Sequence, residues 1–328
     1  AVTQRAGRAA RQQAGIAYRL WQEAGNGGLP PFDPPEILES DLAPLLLDCA
    51  RWGENDPTKL RWLDGPPAPA LQQARKLLLS ITALDASGHI TPHGVQLADL
   101  PLPPPLAHMV VEASKSGQAE DAAMLALLLQ ERGLGGQGEN IETRFERFAG
   151  ERSPKADAAR KLAQRISRMC RSGVGGQEPL SIGGLIATAY PDRIAKRRDN
   201  KGEKWISAMG RGLQLDTASL LAREEWLAVA DVQGAASGAR ILSAAPLTEA
   251  EILSHFAERI TQEEALSYDK NIDRVDARAQ RRLGAIVLSE GRVEKPDQAA
   301  VARALLAAVR EMGVGALPWS KAALALRE

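Results

Sequence analysis

Hydrophobic positions recur along most of the chain at the spacing of helices. In "DLAPLLLDCARWG" Leu42, Leu45, Leu46 and Cys49 share one face, and in "PALQQARKLLLSI" Leu71, Ala74, Leu77 and Leu78 do the same. "SGHIT" has the form of a tight turn into a short strand, after which Thr91 can cap a helix with Pro92 at its first position. Helix, helix, hairpin and helix within about seventy residues is the order of a winged-helix module. From Pro105 to about Gly176 the period is helical throughout. Leu106, Met109, Val110 and Ala113 line one face; Ala159, Leu162, Ile166, Met169 and Cys170 line another, with Arg160, Lys161, Arg165 and Arg168 outside.

The character changes at Pro179. "PLSIGGLIATAYPDRIAKRRDNKGEKWISAMGRGLQL" and "EEWLAVADVQ" onward read as short alternating segments split by turns, as in a small antiparallel barrel. Thr248 and Glu251 form a capping box; beyond them the pattern predicts a helix, two or three strands around "RRLGAIVLSEGRV", and a helix over 297–312. Near the start, "GIAYRLW" alternates Ile16, Tyr18 and Leu20 against Ala17 and Arg19, the period of a strand, and "GNGGLPPFDPP" is a breaker-rich linker.

Composition narrows the class. A chain of 328 residues, 44% hydrophobic and 25% charged, is that of a globular protein of two or more domains. Its 41 basic and 41 acidic residues balance, so an anion site must be a local patch. Cys49 and Cys170 form no CxxC pair and read as buried thiols in a reducing compartment. No apolar run approaches about 18 residues and no signal peptide is visible, so no membrane partner is expected and the location expected is cytoplasmic. The chain starts with Ala1 inside an apparent helix, which suggests part of something longer.

Candidate chemistry is sparse. "GLGGQG" (133–138) matches a dinucleotide fingerprint formally but follows a helix, where a strand is needed, and reads as a loop. His89 and His93 have no cysteine or carboxylate neighbour with zinc-site spacing, so no metal site is expected. There is no GxxxxGK[ST] and no acidic pair of the Walker-B kind, so this chain alone should not hydrolyse a nucleoside triphosphate. Two basic features remain. "TQRAGRAAR" (3–11) sets Arg5, Arg8 and Arg11 at helical intervals with no acid beside them, a fork-bearing face suited to phosphate or a plain solvated helix end. Residues 193–211 hold Arg193, Lys196, Arg197, Arg198, Lys201, Lys204 and Arg211 against only Asp199 and Glu203, with Trp205 interleaved. Small barrels bind single strands through such grooves; the alternative is a solvated hairpin with Trp205 in the core. Neighbours on a strand point to opposite sides, so two or three of these cations are expected on phosphate, Arg197 or Arg198 among them.

"TQRAGRAAR" closely resembles motif VI, QRxGRxGR, of superfamily 2 helicases of the DEAH/RHA type. "ITPHGVQLADLPLPPPLAHMV" resembles the winged-helix-to-ratchet segment of that group. "WGENDPTKLRWLDGPPAPALQQARKLL", "AYPDRIAKRR", "RRLGAIVLSEG" and the closing "GALPWSKAALALR" are similar more narrowly to the bacterial HrpB subfamily. The resemblance implies a mostly α multidomain chain. Residues 1–30 would end a second RecA-like α/β domain, 31–104 form a winged helix, 105–178 a ratchet helical bundle and 179–247 an OB-like barrel. Residues 248–328 would be an α/β extension. It implies an ATP-dependent 3′–5′ RNA helicase whose ATP and Mg2+ are held mainly by preceding RecA-like domains of the same protein. Gln4, Arg8 and Arg11 would face the γ-phosphate, with Arg11 as arginine finger; Ala10 departs from the motif's glycine. Single-stranded RNA would run through the winged helix and ratchet, guided by Arg193, Lys196, Arg197, Arg198, Lys204 and Arg211 on the barrel. The other reading is a non-catalytic winged-helix and OB module that binds nucleic acid.

Overall fold

The computed structural model describes residues 2–22, 25, 34–170, 176, 178–234, 237–269, 274–293, 296–313 and 319–320. The chain forms two compact units, Ala1–Pro104 and Pro105–Glu328. Most of the breaker-rich linker, most of "GVGGQE" and most of the closing "GALPWSKAALALR" lie outside the described residues.

The first unit opens with α1 (Val2–Arg8). The helix stops there: the N–H of Ala9 turns back to the carbonyl of Ala6 at 3.1 Å, so Arg11 lies past the helical turns on which its spacing had placed it. The strand expected at 15–21 does not form. Ile16, Tyr18 and Leu20 are 77%, 82% and 93% exposed, and an alternating segment becomes a strand only when a neighbouring backbone pairs with it. A short turn, α2 (Glu36–Glu39), precedes α3 (Ala43–Arg51), α4 (Ala68–Ser80) and α5 (Pro92–Ala98). Leu46, Leu47, Cys49 and Ala50 of α3 are buried together with Ala74 and Leu78 of α4 and Leu97 of α5. The hydroxyl of Thr91 accepts from the N–H of Gly94 at 2.9 Å and caps α5. Gly94 is needed there because a Cβ would meet the carbonyl oxygen of Ala83 at 2.1 Å. The expected hairpin shrinks to one antiparallel bridge, Leu84 to Ile90, around a turn whose N–H groups Asp85 gathers.

The second unit begins with α6 (Pro104–Ser114), α7 (Ala119–Gln130), α8 (Ile141–Gly150) and α9 (Pro154–Met169). α7 is buried from Ala122 to Leu128, whereas α9 is amphipathic, burying Ala156, Ala163 and Ile166. Ser153 caps α9 through the N–H of Ala156 (3.1 Å), and Asn140 caps α8. "GLGGQG" lies between α7 and α8 as a loop. Its Gly135 has φ +62°, and a Cβ there would meet the Arg144 carbonyl oxygen at 2.1 Å. Cys49 and Cys170 are free and buried, and burial pushes both thiols up, away from thiolate chemistry.

One segment read as strand is a helix: α10 (Ile182–Ala189). Ser181 caps it through Gly184 N–H at 3.0 Å, and its glycines let it lie close on the barrel. A Cβ on Gly183 would meet the Pro246 carbonyl oxygen at 1.8 Å. The barrel itself comprises β1 (Ile194–Arg197), β2 (Lys204–Ser207), β3 (Gly212–Gln214), β4 (Trp226–Gln233) and β5 (Ser237–Leu247), closed in the order β1-β2-β3-β5-β4. It is not wholly antiparallel, because β3 and β5 pair in parallel at the closure. Ala195, Trp205, Leu213, Leu227, Val229 and Ile241 fill its core.

The capping box forms as expected at the start of α11 (Glu249–His255), with Thr248 and Glu251 bonded reciprocally. β6 (Ile260–Asp269), β7 (Arg274–Leu283) and β8 (Ile286–Arg292) make an antiparallel meander, and α12 (Gln298–Met312), capped by Asp297, packs on β6 and β7. No helix among the described residues is long and apolar enough to cross a membrane.

Candidate functional site

In the first unit, Gln4, Arg5 and Arg8 stand exposed on α1, and Arg11 stands exposed in the bend beyond it. No carboxylate occurs between residues 2 and 22. The guanidinium groups of Arg5, Arg8 and Arg11 have no partner among the described residues. A helix C-terminus favours cations, which explains why Arg5 and Arg8 are tolerated in the last turn without an acid. Their N–H forks remain unspent, and planar forks donate in pairs to phosphate. The cluster therefore fits an anion such as a triphosphate, although with no carboxylate it offers nothing to a magnesium ion. Ala10, which replaces the motif's glycine, is exposed.

In the second unit, the basic segment of the barrel divides in two. Four of its seven cations are held by their own barrel. Arg193 donates to the Ala230 carbonyl and lies over the Tyr190 ring, 4.4 Å from its centroid. Lys196 sits 4.7 Å over Trp226 and 3.6 Å from Glu225. Arg197 donates to the carbonyls of Ala222 (3.2 Å) and Arg223 (3.0 Å), and Arg211 to that of Gly234 (2.9 Å). Arg198, Lys201 and Lys204 are different. They stand exposed around the β1–β2 turn, and their side-chain cations have no partner among the described residues. Of the segment's two acids, Asp199 spends an oxygen on the backbone N–H of Lys204 at 3.2 Å, and Glu203 stands exposed beside Lys204. Trp205 is no stacking platform: it is buried in the barrel core, its indole N–H given to the Gly202 carbonyl at 2.8 Å.

Two cations outside this segment stand next to a turn that reaches the barrel. Arg281 and Arg282 of β7 precede a tight turn that touches the β2–β3 turn, where the N–H of Ala285 donates to the Ala208 carbonyl at 2.8 Å. The adjacent arginines before "LG" were visible in the sequence. Only the folded chain shows what they meet.

No family model matches the chain. Individual relatives do, among them several ATP-dependent RNA helicases. One relative, probable ATP-dependent RNA helicase DHX35 of Homo sapiens, is 34% identical over 128 residues, 39% of this chain and 18% of that protein. With the ATP-dependent RNA helicase HrpB of Escherichia coli (strain K12) the likeness runs the length of the chain: 31% identity over 328 residues, 99% of this chain. The crystal structure of Escherichia coli DEAH/RHA helicase HrpB matches with a TM-score of 0.75 at 29% identity, covering 99% of this chain and 40% of that one. The chain spans 39% of HrpB's length and is similar to its C-terminal portion, from motif VI onward.

Proposed function

We propose that this chain is the part of an ATP-dependent RNA helicase that completes the ATP site and guides single-stranded RNA, with 3′–5′ polarity. The observation that carries this reading is the unpartnered Gln4, Arg8 and Arg11 set within a chain similar to HrpB over 99% of its length. ATP and Mg2+ are held by RecA-like domains of the same protein. Arg11 is the arginine finger and Arg8 its neighbour on the γ-phosphate, each offering N–H donors and charge where negative charge spreads in phosphoryl transfer. Gln4 hydrogen-bonds the same group.

Residues 31–104 are the winged helix and 105–178 the ratchet bundle. The closed order β1-β2-β3-β5-β4, with its parallel β3–β5 pair, supports an OB-like reading of the barrel within 179–247. On it, Arg198, Lys201 and Lys204 take the RNA backbone, and Arg193, Lys196, Arg197 and Arg211 are chiefly positioned by the barrel itself. The test is phosphate release in the presence of ATP, magnesium and RNA. The chain alone gives none above a blank. The same chain joined to RecA-like domains bearing a P-loop and DExH box gives RNA-stimulated turnover. Steady turnover by the chain alone, surviving repurification, contradicts the reading.

A further inference from the structure

The β7–β8 hairpin belongs to the extension after the barrel, yet it is fastened to the barrel's β2–β3 turn. The Ala285 N–H donates to the Ala208 carbonyl at 2.8 Å. Gly284 has φ +56°, and a Cβ on it would meet the same carbonyl oxygen at 2.2 Å; a Cβ on Gly210 would lie 3.3 Å from Ala285. The contact is thus close enough to demand glycine on one side. Arg282 folds over this turn. Its Nε donates to the Gly284 carbonyl (3.4 Å), Nη2 to that of Ala285 (3.2 Å) and Nη1 to the Gln280 side chain (2.8 Å). All three acceptors are neutral, so the guanidinium is oriented while its charge stays uncompensated, and two of its five N–H groups remain. Arg281 beside it is exposed, and its side chain has no partner among the described residues.

The rest of the meander behaves differently. Arg278 is neutralised by Asp276 (2.7 Å) and Glu290 (3.0 Å). Among the described residues, Arg281 and Arg282 carry their charge uncompensated at the end of the sheet that touches the barrel. The same turn also bonds to the residue before Arg193, since the Met209 N–H donates to the Asp192 carbonyl at 3.1 Å. Arg193, too, is held by a carbonyl and a ring and keeps its charge.

We propose that the β7–β8 hairpin is part of the RNA path, with Arg281 binding a backbone phosphate of a single strand that continues from the β1–β2 turn, while Arg282, on the opposite face of β7, braces the turn. β2 is four residues long, about 13 Å at its rise per residue, and the two cationic turns sit at its opposite ends. One strand can therefore touch both, if it is long enough. The inference rests on the RNA-guiding reading and assigns the extension a direct share in it.

The test uses the whole chain and labelled oligouridylates of about 4 and about 16 nucleotides, the range of site sizes for one such barrel. Anisotropy titrations at several salt concentrations compare the parent, Arg281→Glu, and Arg198→Ala/Lys201→Ala/Lys204→Ala. Arg281→Glu replaces an exposed side chain that makes no described contact, so the fold is kept; far-ultraviolet circular dichroism checks this. Expected for Arg281→Glu is a roughly three- to tenfold loss on the long oligonucleotide, a salt slope shallower by about 0.7, and little change on the short one. Gly284→Ala, which undocks the hairpin, should reproduce the loss. If Arg281→Glu leaves affinity and slope unchanged on both while the triple variant weakens them, the hairpin inference is overturned and the barrel reading stands. If neither variant changes them, both fall. A loss with Arg281→Glu alone keeps the hairpin and removes the β1–β2 turn.

Discussion

Two arginine-rich segments of this chain look alike in sequence and differ in the folded molecule. At 3–11 the guanidinium groups are exposed and none has a partner among the described residues. At 193–211 the barrel reclaims four of seven cations with carbonyls, aromatic rings and one carboxylate. The reason is geometric. Among the described residues the seven-residue α1 has no acceptor bonded to its arginines, whereas a barrel's turns and strand ends expose carbonyls that long side chains can reach. A cation held by its own fold is oriented, and a cation with nothing opposite it is available. Charge density alone does not separate the two kinds.

The largest effect that sharpens this contrast concerns the aromatic residue within the basic segment. Trp205→Ala should destabilise the second unit by about 3–5 kcal/mol, because a fully buried indole is lost and the Gly202 carbonyl loses its donor. Urea unfolding reads this. A stable variant that lost only RNA affinity would restore Trp205 as a stacking platform. Next in size, Arg198→Ala/Lys201→Ala/Lys204→Ala should weaken single-stranded RNA uniformly across sequences and flatten the salt slope by about 2 units if each meets one phosphate. Arg197→Ala is the counterpart. Its Nη1 already serves two carbonyls, so it should change the slope by less than about 0.7 and show its cost in thermal stability. A larger slope change for Arg197 than for the triple variant would invert the comparison.

How much of this was legible in the sequence depended on whether a signal was local. The caps at Thr91 and Thr248 need only residues three positions apart, and both formed. The closing α12 followed from its period, with Asp297 as cap. Elements that depend on distant partners misread. "SIGGLIATA" alternates like a strand, but Ser181 starts a helix and Gly183 lets it press on Pro246, a contact 63 positions away. "GIAYRLW" has the period of a strand without a described neighbour to pair with. At the candidate sites, residue type and clustering were plain, whereas the division into held and free cations required the positions of Ala222, Arg223, Ala230 and Gly234.

The smallest effect is one of pH. Burial alone would raise the Glu251 carboxyl, but hydrogen bonds from Ser181 and from Thr248 outweigh it and hold Glu251 below its usual range. A carboxylate lowered in the folded state adds stability above its unfolded value, about pH 4.3, and loses it as pH falls through the folded value. Thermal melts from neutral to acid pH should therefore show a parent–Glu251→Gln difference that narrows below about pH 4. A difference constant with pH would place the effect in packing instead.

The most direct test of the account is RNA-stimulated phosphate release by the chain joined to RecA-like domains bearing a P-loop and DExH box, with Arg11→Ala measured at saturating RNA beside the parent. The account predicts a fall of roughly 10³-fold or more, the share an arginine finger contributes in related phosphoryl transfers, with single-stranded RNA affinity unchanged. Turnover near that of the parent would contradict it, and the unpartnered arginines of α1 and of the bend after it would then be solvated surface.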